Sequence, residues 1–179
     1  TRKLGDNIAL IGEGRSTILR GKGGIPVLTN KSPETGNSGI MISDLFIDGN
    51  KEAYAPSSPT WQDNFPATLF RKVYHSVFTR LWVRGGGMYA PAPGDPIARF
   101  NRGNGLFLVE SSFNVISEVV AFENDYDGIR IMWLSYANTV SNCVCYNNKG
   151  SGIQIIGWYP DLAPDVESQY NVVSGNTIY

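Results

Sequence analysis

Asn114-Val115-Ile116-Ser117 returns as Asn138-Thr139-Val140-Ser141 and again as Asn171-Val172-Val173-Ser174, the first two copies lying 24 residues apart. A second marker keeps the same step. Asn104-Gly105-Leu106-Phe107-Leu108 is followed by Asp127-Gly128-Ile129-Arg130-Ile131 and by Ser151-Gly152-Ile153-Gln154-Ile155, whose glycines are 23 and then 24 residues apart. Two markers in one register define a repeating unit, and periods of roughly 20–50 residues belong to solenoids. Each unit consists of short apolar strands broken by Gly and Asn, with no helical periodicity, so the solenoid is a coiled sheet.

Aligning the units extends the pattern backwards. Ser76-Val77-Phe78-Thr79-Arg80-Leu81-Trp82-Val83 falls under Asn114–Ala121, and Met41-Ile42-Ser43-Asp44-Leu45-Phe46-Ile47 takes the same register. Apolar columns emerge: Ile42, Phe78, Ile116, Val140 and Val173 in one, and Ile47, Val83, Ala121, Cys145 and Ile178 in another. Parallel strands stacked about 4.8 Å apart keep like residues in line, with alternate residues facing a shared core. The reading is an all-β parallel coil of about six to seven turns, a single domain over 1–179, with loop insertions at about 49–66, 85–103 and 157–169. The pattern already runs at Thr1 and breaks off in mid-repeat at Tyr179, so a piece of a longer chain is expected. Long loops inside compact repeats are usually either functional or disordered, and these three would wall a groove over the Gly105-type sheet.

Composition narrows the partners. Hydrophobic residues make up 42% and the net charge is −1, which describes a globular chain with no basic stripe for nucleic acid. No apolar run reaches the length of about 18 residues that a membrane span needs, and no secretory signal opens the chain. Cys143 and Cys145 share one strand face, about 6–7 Å apart, which is awkward for a direct disulfide and points to buried thiols. His75, the sole histidine, stands at the turn into the Phe78 strand with no Ser or Cys nucleophile beside it. The runs Gly85-Gly86-Gly87 and Gly12-Glu13-Gly14 precede no helix and are turns rather than phosphate loops.

Asn7-Ile8-Ala9-Leu10-Ile11-Gly12-Glu13-Gly14, followed by Thr17-Ile18-Leu19-Arg20-Gly21, resembles the opening of the pectate-lyase-like right-handed parallel β-helix superfamily, and the later "G-I-x-I" and "N-x-V-S" coils are similar to its repeats. The resemblance covers nearly the whole chain outside the insertions. It implies a right-handed parallel β-helix and a polysaccharide partner, since the superfamily holds polysaccharide lyases, hydrolases, epimerases and phage tailspikes. It also implies an extracellular, secreted or virion-surface setting. The Gly-His-Gly and Asp-Asp signatures of polygalacturonases and the Asp-Pro-His of alginate epimerases are absent.

The densest polar cluster is Glu123-Asn124-Asp125-Tyr126-Asp127-Gly128-Ile129-Arg130, matched one unit later by Asn147, Lys149, Ser151 and Gln154. Arg130 and Gln154 alternate with inward isoleucines and should project from the outer face of the sheet. Glu123, Asp125, Asp127, Arg130 and Lys149 are the candidate catalytic set. Elimination from a uronate needs a cation at the carboxylate and a base for the C5 proton, roles open to Arg130 and Lys149. Hydrolysis needs two carboxylates about 5–9.5 Å apart, a role open to Glu123 with Asp125 or Asp127. The structural alternative is that these acids and amides satisfy backbone groups at a turn. Arg80, Arg84, Arg130 and Lys149 would make the groove locally positive.

Trp133, Tyr136, Trp158 and Tyr159, with Gln154, are the candidate sugar contacts, because flat rings with polar edges suit sugar faces. Tyr54, Trp61, Phe65 and Tyr89 lie in the insertions and could instead pack them down, Phe65 above all. No cofactor is expected; a calcium ion on Asp125 with Asp127, or on Asp44 with Asp48, is a weaker reading, since these carboxylates offer the hard oxygens calcium prefers. The leading function is binding and cleavage, by lyase or hydrolase chemistry, of an extracellular acidic polysaccharide. The rivals are a non-catalytic glycan-binding segment and a structural solenoid that trimerises or stacks end to end through its strand edges.

Overall fold

The computed structural model of the chain describes residues 1–90, 103–157 and 168–179. It is an all-parallel β-helix. The first coil holds β1 (Arg2–Leu4), β2 (Ala9–Ile11) and β3 (Ile18–Arg20); the second β4 (Leu28–Asn30), β5 (Asn37–Ser38) and β6 (Met41–Asp48); the third β7 (Thr68–Arg71), β8 (Val73–Tyr74) and β9 (Val77–Arg84). The fourth holds β10 (Leu106–Val109), β11 (Val115–Ser117) and β12 (Val120–Phe122); the fifth β13 (Ile129–Met132), β14 (Thr139–Ser141) and β15 (Val144–Tyr146); the sixth β16 (Ile153–Ile156), β17 (Val172–Ser174) and β18 (Thr177–Ile178). Stacked in order, β1, β4, β7, β10, β13 and β16 form a six-stranded first sheet. The remaining strands form a ten-stranded second sheet, with β5 and β8 paired separately.

The sequence register is the structural register. Val77, Val115 and Thr139 are cross-strand partners, as are Val83, Ala121 and Cys145, and Ile129 pairs with Leu106 and Ile153. The inward columns make one continuous core in which Ile42, Phe78, Ile116 and Val140 are fully buried. Truncating a buried phenylalanine such as Phe78 to alanine costs about 3–5 kcal/mol. Cys143 and Cys145 lie in this core as free thiols. Burial, and then the neighbouring Cys143, pushes the Cys145 thiol up to about 12, so it stays protonated.

Where β11 and β12 are separate strands, β6 and β9 run straight through a bend. The bend residues Asp44, Arg80, Glu118 and Asn142 all take positive φ, between 49° and 58°, in one column. Repetition at the same rung makes this a built corner, not a local accident. Arg80 donates two bonds to Asp44 there, at 2.6 and 2.7 Å. Arg80 therefore belongs to the bend of the second sheet and not to the positive groove expected from sequence.

One corner is tied coil to coil by a ladder of asparagine side chains. Asn138 Oδ1 accepts from the backbone N–H and the side-chain amide of Asn114, both at 3.0 Å, and Asn171 Oδ1 does the same for Asn138. Asn114 and Asn138 are buried, and Asn171, on the last coil, is partly so. They carry the hydrogen bonds that a turning backbone would otherwise leave unmade. At the turn from the second sheet back to the first, Gly85 takes φ +77° and Gly86 packs against the backbone of Asn104, so close that a Cβ would clash. The glycine run is thus a point of coil-to-coil contact.

Candidate functional site

The outer face of the first sheet carries one row made of Leu69, Phe107, Arg130 and Gln154, rung above rung. Alternation with the inward isoleucines sends Arg130 outward, as expected. Its surroundings differ from the open groove foreseen, because both faces of β10 and β13 are buried. Phe107, Val109 and Met132 form a second apolar cluster on this outer side, with Leu69, Trp133 and Ile156 packed against it. Arg130 is 3% exposed, lies 5.8 Å from the Phe107 ring centre and 5.3 Å from that of Tyr126, and bonds Asp127 Oδ2 at 2.8 Å.

Asp127 is 1% exposed and does two jobs. Its Oδ2 holds Arg130, and its Oδ1 accepts the Ser151 N–H of the next coil at 2.8 Å. One rung below, the Asn104 Oδ1 accepts the Asp127 N–H at 3.3 Å. Asp127 thus occupies a ladder position where a neutral amide would suffice. A carboxylate there must be desolvated, and it is tolerable only because Arg130 is buried with it. Such a buried pair is weak support for stability.

Beside this pair runs an ionic seam. Asp125 is 8% exposed, and its Oδ1 accepts from Lys51 at 2.9 Å and Lys149 at 2.8 Å, while Oδ2 accepts the Met88 N–H at 3.2 Å. Burial alone would raise the Asp125 carboxyl, but Lys149 and Lys51 outweigh it and hold it below the ordinary carboxylate range. Glu123 accepts from Arg84 at 2.9 Å, and Asp48, its side chain fully buried, accepts from Arg20 and Arg84, both at 3.2 Å. The seam therefore links the turns of successive coils along the solenoid axis.

The expected catalytic set is thus gathered at one turn as two ion-pair groups, Asp125 with Lys149 and Asp127 with Arg130, with Glu123 turned to Arg84. Sequence reasoning missed Lys51. It lies in the 49–66 insertion, 74 residues before Asp125, and no local pattern announces the contact. The insertion itself is packed: Tyr54, Phe65 and Tyr89 meet with ring centres 5.3–6.2 Å apart, and the Tyr89 hydroxyl donates to the Lys51 carbonyl at 2.5 Å. Burial, and then Asp125, pushes the Tyr89 hydroxyl up to about 12.

The expected sugar contacts scatter. Gln154 is half-buried in the Arg130 row, and Trp133 leans on the outer apolar cluster. Tyr136 is 42% exposed at another corner, edge-on to Phe113, which stacks on His75 at 5.0 Å. Trp158 and Tyr159 lie outside the described residues. The calcium idea meets a crowded site, since Asp44, Asp48, Asp125 and Asp127 each bond a cation. Among the described residues no three metal-ligating side chains gather, and no helix is long and apolar enough to cross a membrane.

A parallel coil with buried ladders and a core of stacked columns defines the class of right-handed β-helix proteins. The family model for right-handed β-helix regions matches residues 82–179, more than half of the chain, and the chain belongs to that family. Over 97% of its length it is similar in structure to the A-module of mannuronan C-5 epimerase AlgE4 from Azotobacter vinelandii, at 20% identity and a TM-score of 0.63. It is similar over the same share to an N-terminal fragment of gene product 12 of bacteriophage phi29, at 18% identity and a TM-score of 0.57. The chain spans about half of the first structure, 51%, and 40% of the second. At these identities the likeness is one of fold. No curated protein matches the sequence.

Proposed function

We propose that this chain binds an acidic polysaccharide at the turn shared by the ionic seam and the Asp127–Arg130 pair. The observation that carries the reading is the placement of a buried Asp–Arg pair at a rung where an amide would serve. Fold likeness to a mannuronan-acting module adds support of an associational kind. Elimination is the cleavage chemistry this turn fits better. Asp125 is held ionised and so lacks the proton a hydrolytic acid must donate. Lys149, its side chain 72% exposed, puts a cation at the surface where it could neutralise a uronate carboxylate. A glycan-binding segment without turnover is the second reading, favoured by the commitment of each carboxylate at this turn to a cation.

The test is incubation with a panel of uronate-rich and neutral polysaccharides, following unsaturated-uronate absorbance, reducing ends and binding together. Unsaturated product supports elimination, and reducing ends alone would replace it with hydrolysis. Saturable binding without product leaves the second reading in place. Folded protein that binds no member of the panel would sink the proposal.

A further inference from the structure

Two ammonium groups meet on one oxygen at the seam. Asp125 Oδ1 accepts from both Lys51 and Lys149, at 2.9 and 2.8 Å, so the two nitrogens lie no more than 5.7 Å apart. One carboxylate balances one of these charges. Among the described residues, Asp125 is the only carboxylate that either lysine bonds. The other acids of the seam, Glu123 and Asp48, are engaged by Arg84 and Arg20. At the Asp125 carboxylate itself two ammonium charges therefore share one negative charge, while Glu52, the neighbour of Lys51 in the chain, acts on Arg84 and Tyr89 of the same seam.

The donor count agrees with the charge count. An ammonium offers three donors. Lys51 uses two, to Asp125 and to the Glu123 carbonyl at 2.7 Å, while Lys149 uses one. The two ammonium groups that carry the unused N–H groups meet on the same Asp125 oxygen. Lys51 is held in place, its side chain 18% exposed, and Lys149 faces water at 72%. A fixed cation beside a free one is a seat for a second anion, gripped by charge-assisted bonds from two directions.

We propose that Lys51 and Lys149 form a subsite for one carboxylate of a uronate polymer, a deepening that rests on the polysaccharide reading above. Two ammonium groups that share a single carboxylate oxygen suit a monoanion such as a sugar carboxylate. Asp125 is then a positioning residue that also competes with the ligand: it draws the two lysines together and occupies part of their charge.

The experiment is calorimetric titration of the wild type, Lys149→Gln, Lys149→Arg, Lys51→Gln and Asp125→Asn with galacturonate, guluronate, mannuronate and glucuronate oligomers. Methyl-esterified forms of these oligomers and a sulfated neutral glycan serve as further arms, and the melting midpoint verifies each fold. Lys149→Gln should weaken uronate binding about tenfold, the loss of one charge-assisted bond, and Lys149→Arg should retain it. Methyl esters should bind the wild type as weakly as the acids bind Lys149→Gln. Asp125→Asn should tighten binding, an outcome that a purely structural Asp125 does not give. Unchanged uronate affinity in both Lys149→Gln and Asp125→Asn overturns the subsite while leaving the polysaccharide reading intact. Equal affinity for the sulfated glycan overturns the uronate assignment. A wild type that binds nothing in the panel overturns subsite and reading together. If Lys51→Gln fails to fold, the exposed Lys149 variants carry the test.

Discussion

The corner built on Asn114, Asn138 and Asn171 and the turn built on Asn104 and Asp127 perform the same task with different chemistry. Each rung supplies an oxygen to the N–H of a neighbouring coil. At the first corner the oxygen is a neutral amide, and the amide nitrogen closes the network on a carbonyl, as Asn138 Nδ2 does on Ser111 at 2.8 Å. At the second the oxygen is a carboxylate that must bring its own counter-charge, Arg130, into a nearly dry place. The amide ladder is an economical solution to stacking coils, because it buries no net charge. The departure from it marks the position where stacking alone does not explain the residue.

That contrast can be broken by mutation, and the largest effect is expected at the charged rung. Asp127→Ala removes both the ladder oxygen and the partner of buried Arg130, and should cost near the upper end of about 3–5 kcal/mol in urea unfolding. Asp127→Asn keeps the ladder oxygen yet strands the guanidinium, with a cost near the lower end of about 3–5 kcal/mol. The double variant Asp127→Asn with Arg130→Met should return to within about 1 kcal/mol of wild type, since an apolar side chain replaces the buried charge. Recovery of stability with loss of polysaccharide binding would separate function from folding. No recovery would make the pair a structural brace.

Asn138→Ala leaves the buried Asn114 N–H without its acceptor and should cost about 2–4 kcal/mol, read from the denaturant midpoint. A loss below about 1 kcal/mol would mean that the amide ladder is replaceable by relaxed geometry or water. At the exposed end of the seam, Lys149→Ala should change stability by no more than about 0.5 kcal/mol. The acid limb of the pH profile gives the smallest signal. Asp125 is held below its unfolded value by Lys149 and Lys51, and Asp44 at about 2 by its hydrogen bonds from Arg80. Their contribution is present above the unfolded carboxylate range and is lost as pH falls through the folded values. Asp125→Asn should therefore flatten the loss of melting temperature below about pH 4.

Much of this architecture could be read in the chain. The markers at Gly105, Gly128 and Gly152 placed β10, β13 and β16, and the Ile42 and Ile47 columns placed the second sheet rung by rung. The earlier strands of the first sheet were harder to see, because Val27-Leu28 and Ala67-Thr68 carry no glycine at the entry to β4 and β7. Thr68 pairs with Leu106 and Leu28 with Thr68, a register that comes from the neighbours they stack upon. The recurring Asn-x-Val-Ser motif was visible as a repeat, though not as a buried ladder.

The sequence determined the coil by itself, since period, alternation and like-residue columns are properties of a string that winds on itself at fixed rise. It also brought Glu123, Asp125, Asp127, Arg130 and Lys149 to one turn, though not Lys51. Only the tertiary structure decided which pairs form: that Arg130 is buried against Phe107 and Tyr126 and not open to a groove, that Arg80 belongs to a distant bend, and that Lys51 crosses the coils to reach Asp125. The reason is physical. Register along a repeat is a local property repeated many times, whereas desolvation and ion pairing depend on whatever chain covers the charge, however far away in sequence that chain lies.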